Sequence, residues 1–390
     1  MVEKKAISGN EAVAEAIKQI NPDVMAAFPI TPSTEIPQII SSFIANRKMT
    51  TEFIAVESEH SAMSACIGAE SSGVRAMTAT SSAGLALMYE LLWVASSDRL
   101  PIVMAVVNRA LTGLLNINAD HSDSMGARDS GFMQIYSENA QEAYDNMLMA
   151  HRIAEAVRLP IMICQDGFIT SHAIDEVRIE NDNFVKDFIG KYKPENFLLN
   201  EKTSYAVGPY GISPYYMEMK YQQNLAMKEA IDIIKEVSKD FSEKTGRKYE
   251  LFERYYSDDA ELIFIIMSSA AGIVKDAVDI LRNKGEKVGL IKIRAFRPFP
   301  ANELKVALKD KEALIVLDRS ESLSSNDGPI SNEIKSALYD TKKHPKVLSK
   351  FYGLGGRDIT VKIVLELFDE LKNYKKEGVL RGREYIGLRS

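Results

Sequence analysis

Cysteine is nearly missing from this chain of 390 residues: two are present, Cys66 and Cys164, each inside an apolar segment and neither in a Cys-x-x-Cys pair. An iron–sulfur cluster usually takes four cysteine ligands, and a structural zinc site takes a group of Cys and His, so the chain by itself holds neither. Both thiols read as small core residues, and no disulfide is expected. Long hydrophobic runs are missing too. No stretch approaches the ~20 apolar residues of a membrane span, and the start, MVEKKAISGNEAVAEAI, lacks the apolar core of a secretory signal. A cytoplasmic protein without membrane contact is expected. The formal net charge is −6, and no long basic run occurs before the last twenty residues, which leaves a nucleic-acid-binding surface without support. There is no Gly-x-x-x-x-Gly-Lys, no Gly-x-Gly-x-x-Gly after the first strand and no Gly-Asp-Gly…Asn metal–diphosphate motif. The usual phosphate cradles for nucleoside triphosphates and NAD are therefore lacking.

What is present is a soluble globular composition, 46% hydrophobic, 26% charged and 8% aromatic, on a chain long enough for two cores. Short apolar runs alternate with helical stretches: DVMAAFPI (23–30), EFIAVE (52–57), RAMTAT (75–80), PIVMAVV (101–107) and PIMICQ (160–165). That alternation predicts βαβ units on a parallel sheet, an α/β fold. Between the runs, Ala62, Ala65, Cys66 and Ala69 repeat at helical spacing. Asn139 opens a capped amphipathic stretch through Met147, Ala150, Ile153 and Val157. Residues 181–222 turn polar and aromatic, with Lys-Pro and Gly-Pro steps, and read as a long excursion, a lid or a subunit-contact arm. A helix over about 223–245 leads to a second unit. In it ELIFIIMSS (261–269), KVGLIKIRAF (287–296) and EALIVLD (312–318) are strands, with a helix starting near Ala271. The predicted division is 1–250, 251–372 and a basic tail, 373–390. That tail is either a solvated terminus or an arm over a partner.

In open α/β sheets ligands bind at the carboxyl ends of strands, so the loops there carry the candidate chemistry. Arg109 follows the run 101–107, where a guanidinium can pair with a carboxylate through two bonds. Thr31 ends the run Phe-Pro-Ile-Thr-Pro, stiffened by Pro29 and Pro32. Glu59 precedes an alanine-rich helix, where a carboxylate also suits the helix dipole with no catalytic role. Asp120-His121-Ser122-Asp123 lacks a second ligand group at metal spacing and is expected to be a hydrogen-bonded loop that shapes a site, with no metal bound. The Gly353-Leu-Gly355-Gly356 cluster reads as a turn.

Taken together, AFPITPSTEI (27–36), VESEHSAMSACIGA (56–69), TATSSAGLALM (78–88), NRALTGLLNINADHSDSMGARDSGF (108–132), QDGFITSH (165–172), KVGLIKIRAFRPFP (287–300) and FYGLGGRD (351–358) resemble the α subunit of pyruvate:ferredoxin oxidoreductase, from about residue 6 to about 372. The resemblance implies a thiamine-pyrimidine-binding-type parallel-sheet domain followed by a transketolase-C-terminal-like α/β domain. It implies thiamine diphosphate shared with a β subunit, with Mg2+ and [4Fe-4S] clusters on partner subunits, and γ and δ subunits in the same complex. The implied reaction is decarboxylation of pyruvate with coenzyme A to acetyl-CoA, with electrons passing to ferredoxin. By position, Glu59 matches the glutamate that meets N1′ of the cofactor's aminopyrimidine and promotes loss of the thiazolium C2 proton. Thr31 and Arg109 match the residues that hold the substrate carboxylate, and Pro29 and Ile30 fall at the cofactor. Two departures stand out: Phe28-Pro29 replaces Tyr-Pro, and Thr112-Gly113-Leu114-Leu115 lacks the proline of many pyruvate enzymes. They leave branched-chain 2-oxoacids and 2-oxoglutarate open as substrates. A non-catalytic partner subunit and a nicotinamide-dependent dehydrogenase are the rival readings.

Overall fold

Every apolar run named above forms a strand, because β-branched and small residues pack on both faces of a buried parallel sheet. The computed structural model describes residues 2–377 and 384–389. In chain order the strands are β1 (Glu3–Ser8), β2 (Val24–Ala27), β3 (Glu52–Ala55), β4 (Ala76–Thr80), β5 (Val103–Asn108), β6 (Met133–Tyr136), β7 (Ile161–Asp166), β8 (Ile174–Ile179), β9 (Phe252–Tyr255), β10 (Leu262–Met267), β11 (Val288–Ile293), β12 (Ala295–Arg297), β13 (Ala313–Asp318), β14 (Lys346–Phe351) and β15 (Glu384–Tyr385). They build a seven-stranded sheet in the order β12-β6-β7-β5-β4-β2-β3, a six-stranded sheet in the order β15-β14-β13-β10-β11-β9, and an antiparallel pair, β1-β8. The larger sheets are parallel except for their edges β12 and β9. The fold is α/β.

Helices cover the sheets as the patterning requires. Ser58 caps the helix Glu59–Ser71 by accepting from Ser61 N, and Asn139 caps Ala140–Val157 by accepting from Glu142 N. Cys66 and Cys164 are both fully buried, and burial pushes the Cys66 thiol up to about 12. Among the described residues, no helix is long and apolar enough to cross a membrane.

Three expectations need correction. The helix predicted from 223 begins ten residues earlier and runs Ser213–Thr245, with Pro in its first turn. Its added turns, SPYYMEMKYQ, carry exposed Tyr215, Tyr216 and Met217, so no apolar period marked them. The excursion also holds the helix Asp182–Ile189, and its irregular part shrinks accordingly. The run 287–296 is two strands in two sheets: the chain turns at buried Arg294, where the amides of Arg294 and Ala295 both donate to the Leu251 carbonyl. Finally, residues 373–377 continue the helix Val361–Glu377, and Glu384–Tyr385 pair in parallel with β14. Residues 378–383 and 390 lie outside the described residues.

Candidate active site

The carboxyl ends of β3, β2, β4, β5 and β7 lie side by side, with Ala27 opposite Ala55 and Asn108 opposite Asp166 in the register. Parallel pairing thus gathers four loops along one sheet edge, those that carry Pro29 to Thr31, Glu59, Ser81 to Gly84 and Arg109. The turn at 31–34 is pinned from outside: Asn10 Nδ2 donates to the Pro32 carbonyl at 2.9 Å, and Ser33 N and Oγ both donate to the Ile30 carbonyl. Pro29 and Thr31 are exposed and Ile30 is half-buried, so this turn presents its outer surface.

Arg109 crosses to that turn. Its Nη1 donates to the Thr31 carbonyl at 2.8 Å, and its Nε donates to the Asn116 carbonyl at 3.2 Å. The residue is only 7% exposed, yet among the described residues it has no carboxylate partner. A buried guanidinium held by two neutral carbonyls keeps an uncompensated charge.

Glu59 opens its helix and is 6% exposed, with no side-chain hydrogen bond among the described residues. Position in the first turn suits the helix dipole, and the cap itself is made by Ser58. The carboxyl group lies against Gly84: a Cβ built there would meet Thr80 Oγ1 at 2.5 Å and Glu59 Oε1 at 2.6 Å. The glycine leaves room for the carboxyl group and nothing more. The Thr80 hydroxyl beside it and the hydroxyl of the next residue, Ser81, are buried without partners among the described residues. Buried polar atoms with no partner are costly unless a ligand completes them, and a hydrogen-bonding heterocycle fits such a set.

Asp123 ties the two halves together. Its Oδ2 accepts from Arg109 N and Ser82 N, both at 3.0 Å, and its Oδ1 accepts from Asn108 Nδ2 and Ser124 N. Burial pushes its carboxyl up to about 6. The segment 120–123 is thus the hydrogen-bonded loop that was expected. The glycine cluster is a turn, with Gly353, Gly355 and Gly356 at positive φ, and it docks on this segment through Gly355 N to Asp120 Oδ2 and Gly356 N to the Ala119 carbonyl.

Elsewhere, the carboxylates of Glu138, Glu142 and Glu253 converge, but the Lys292 ammonium sits among them at 2.6–2.8 Å, where a cation would go. Clefts of 460 and 610 Å³ are lined by residues of other elements, such as Tyr249 and Phe188, and contain none of the site residues.

Residues 15–239 match the family described as pyruvate flavodoxin/ferredoxin oxidoreductase, thiamine diphosphate-binding, and residues 260–364 match the pyruvate:ferredoxin oxidoreductase core domain II. The chain belongs to this oxidoreductase family. Pyruvate synthase subunit PorA of Thermotoga maritima is 46% identical, over 100% of this chain and 99% of its own length. The subunit of the same name from Methanocaldococcus jannaschii is 43% identical over 100% and 99%. Ketoisovalerate oxidoreductase subunit VorA of Pyrococcus horikoshii is 44% identical over 97% and 96%. In fold, this oxidoreductase subunit is similar to 2-oxoglutarate:ferredoxin oxidoreductase from Magnetococcus marinus, with a TM-score of 0.72 at 19% identity over 95% of the chain. It spans 65% of that longer chain. A split-gene transketolase is similar over 95% of this chain and 100% of its own, with a TM-score of 0.55 at 12% identity.

The structure brings Thr31 and Arg109 together and sets Glu59 after β3 on the same edge, next to the strand that carries Thr31 and three strands from the one that carries Arg109. Reading the sequence passed over Gly84, Asn116 and Asn10. Small and hydroxyl-bearing residues ending in a glycine at a strand end, in Thr80-Ser-Ser-Ala-Gly84, were the available sign of a loop built for close approach.

Proposed function

We propose that this chain is the α subunit of a pyruvate synthase and supplies one half of its thiamine site. Glu59 is the acid–base group at the aminopyrimidine, Arg109 and Thr31 are the carboxylate-binding pair, and Pro29 and Ile30 line the cofactor. The observation that carries this reading is a buried carboxylate and a buried guanidinium on one sheet edge, neither with an oppositely charged partner among the described residues. Charges of that kind are stabilised only when a ligand joins them. Thiamine diphosphate, when bound, supplies the carbanion chemistry that decarboxylation of a 2-oxoacid needs. The chain's own residues bind and orient. Glu59 holds a proton at the ring nitrogen, in a niche beside Gly84 and Thr80. Arg109, aimed by the Thr31 and Asn116 carbonyls, neutralises the substrate carboxylate and leaves Nη2 for the second bond of a fork.

In this reading residues 1–250 form the cofactor-facing unit and 251–372 the supporting one. A β subunit brings the diphosphate half of the site, Mg2+ and the clusters, while γ and δ subunits complete the path to ferredoxin, and coenzyme A takes the acyl group. The full-length similarity to pyruvate synthase subunits supports pyruvate. The VorA relatives make ketoisovalerate the comparison substrate.

Two substitutions test the reading in the assembled enzyme. Glu59→Gln keeps the shape but cannot give up a proton, so hydrogen–deuterium exchange at C2 of bound thiamine diphosphate is expected to slow by roughly 10²–10⁴. Arg109→Lys keeps the charge and loses the fork, so kcat/KM for pyruvate is expected to fall by about 1–3 kcal/mol, with C2 exchange unchanged. Wild-type exchange in the first variant, or wild-type kcat/KM in the second, removes that residue from its role. A higher kcat/KM for ketoisovalerate than for pyruvate reassigns the substrate.

A further inference from the structure

The loop that aims Arg109 is held from the far half of the chain. Asn116, whose carbonyl accepts from Arg109 Nε, donates through Nδ2 to the Gly355 carbonyl at 3.1 Å. Asp120 accepts from Ser122 N on one oxygen and from Gly355 N on the other. One residue on, His121 N donates to the Arg319 carbonyl at 2.9 Å, and His121 Nε2 lies 2.7 Å from Asp166 Oδ1. The other Asp166 oxygen accepts from Arg319 Nη1 at 2.9 Å and from both the amide and the hydroxyl of Ser269. Asp166 is 0% exposed and Arg319 is 2% exposed. Burial alone would raise the Asp166 carboxyl, but the Arg319 and His121 charges hold it well below the usual carboxylate range. Arg319 also lies over the Tyr352 ring, which leads into the Gly353–Gly356 turn. The segment 116–121 is therefore clamped at both ends by residues at the carboxyl ends of β10, β13 and β14, none of which, among the described residues, hydrogen-bonds Arg109 itself.

We infer that Arg319 is a positioning residue for substrate binding: with Asp166 and the 353–356 turn it sets the segment 116–121, and through the Asn116 carbonyl it sets the direction of the Arg109 guanidinium. This rests on the reading of Arg109 as the carboxylate receptor. The buried pair is the right kind of device for the task. Arg319 Nη1 meets the same Asp166 oxygen that Ser269 holds, and both charged groups are buried, so the pair is fixed in place where a surface pair would leave the segment loose. A small misplacement of a substrate-orienting group is enough to cost about 10²-fold in rate. Glu59 is reached by none of these bonds, so the device acts on the 2-oxoacid and leaves the cofactor alone.

The test uses the assembled complex, with pyruvate as substrate and Arg109→Lys as the reference. Arg319→Ala is expected to raise KM for pyruvate about tenfold or more, with a smaller change in kcat and with C2 exchange of bound thiamine diphosphate within twofold of wild type. Arg319→Lys is expected to recover part of the KM change. Asp120→Asn, which puts an amide against one of the two backbone donors, is expected to shift KM in the same direction and serves if Arg319→Ala fails to assemble. The inference is overturned if KM stays within twofold in the Arg319 and Asp120 variants while Arg109→Lys raises it. Equal loss of C2 exchange and of pyruvate turnover also overturns it, since that is the mark of a general structural role. An unchanged KM in Arg109→Lys removes the reading of Arg109, and the inference with it.

Discussion

Replacing Gly84 with alanine adds one methyl group beside Glu59, and its consequences for stability and catalysis separate cleanly. The new Cβ would stand 2.5 Å from Thr80 Oγ1, 2.6 Å from Glu59 Oε1 and 2.9 Å from Glu59 Cδ, where non-bonded atoms settle at about 3.5–4 Å. Thr80 is fixed in a buried strand, so the carboxyl end of Glu59 gives way, by roughly 1 Å on that spacing. Alanine within the helix Ser82–Leu87 recovers up to about 1 kcal/mol of backbone propensity, while the crowding costs about 1–3 kcal/mol. The net loss is on the order of 0–3 kcal/mol, a fall in Tm of a few degrees. Catalysis responds far more strongly, because a 1 Å misplacement of a reacting group costs about 10²-fold. The assay pairs thermal unfolding with hydrogen–deuterium exchange at C2 of thiamine diphosphate in the assembled complex. A Gly84→Ala enzyme that exchanges C2 at the wild-type rate would refute the placement of acid–base chemistry at this carboxyl group.

Three further outcomes are expected. Purified alone, the chain should be colourless and without pyruvate oxidation activity, since its two cysteines are buried and it carries no diphosphate motif; visible absorbance from bound iron in that preparation would contradict the division of labour. Arg247→Ala should lower stability by about 3–5 kcal/mol, because it strands fully buried Asp145, which accepts from Arg247 Nε at 2.6 Å and Nη2 at 2.8 Å; denaturant unfolding reads this directly. Asp123→Asn should be destabilising, and less so as pH rises. Burial lifts the Asp123 carboxyl from its ordinary 3.8 to about 6, so its contribution is fully present below 3.8 and is lost as pH climbs through 6. The gap in Tm between wild type and variant should narrow across that window, and a gap that widens would contradict the sign.

Much of the fold was legible because its strands are buried on both faces and read as unbroken apolar runs, as in Val103–Asn108 and Leu262–Met267. The first turns of the helix Ser213–Thr245 were not legible, since exposed Tyr, Met and Lys residues give no period for the eye to follow. Nor was the break after Ile293, where Arg294 turns the chain with apolar residues on either side. Within the candidate site, Thr31 and Arg109 were visible as polar residues at strand ends, a position with a local signature. The residues around them were not. Asp166 pairs with Arg319 across 153 positions, and Asn116 reaches Gly355 across 239. Such partners are made by the crossing of two sheets, and single-sequence periodicity carries no trace of them.

The small strand β12 has a bearing on how the protein is made. It closes the exposed side of β6, yet it comes from the stretch that otherwise builds the second sheet. During synthesis the strand that covers the β6 edge is not available until Arg297 has left the ribosome, whereas β7, the partner on the other side, follows β6 directly in the chain. An open strand edge is a template for pairing with other chains. The nascent chain therefore passes through an interval in which it needs shielding, and a truncation placed at the apparent gap near residue 250 would make that interval permanent.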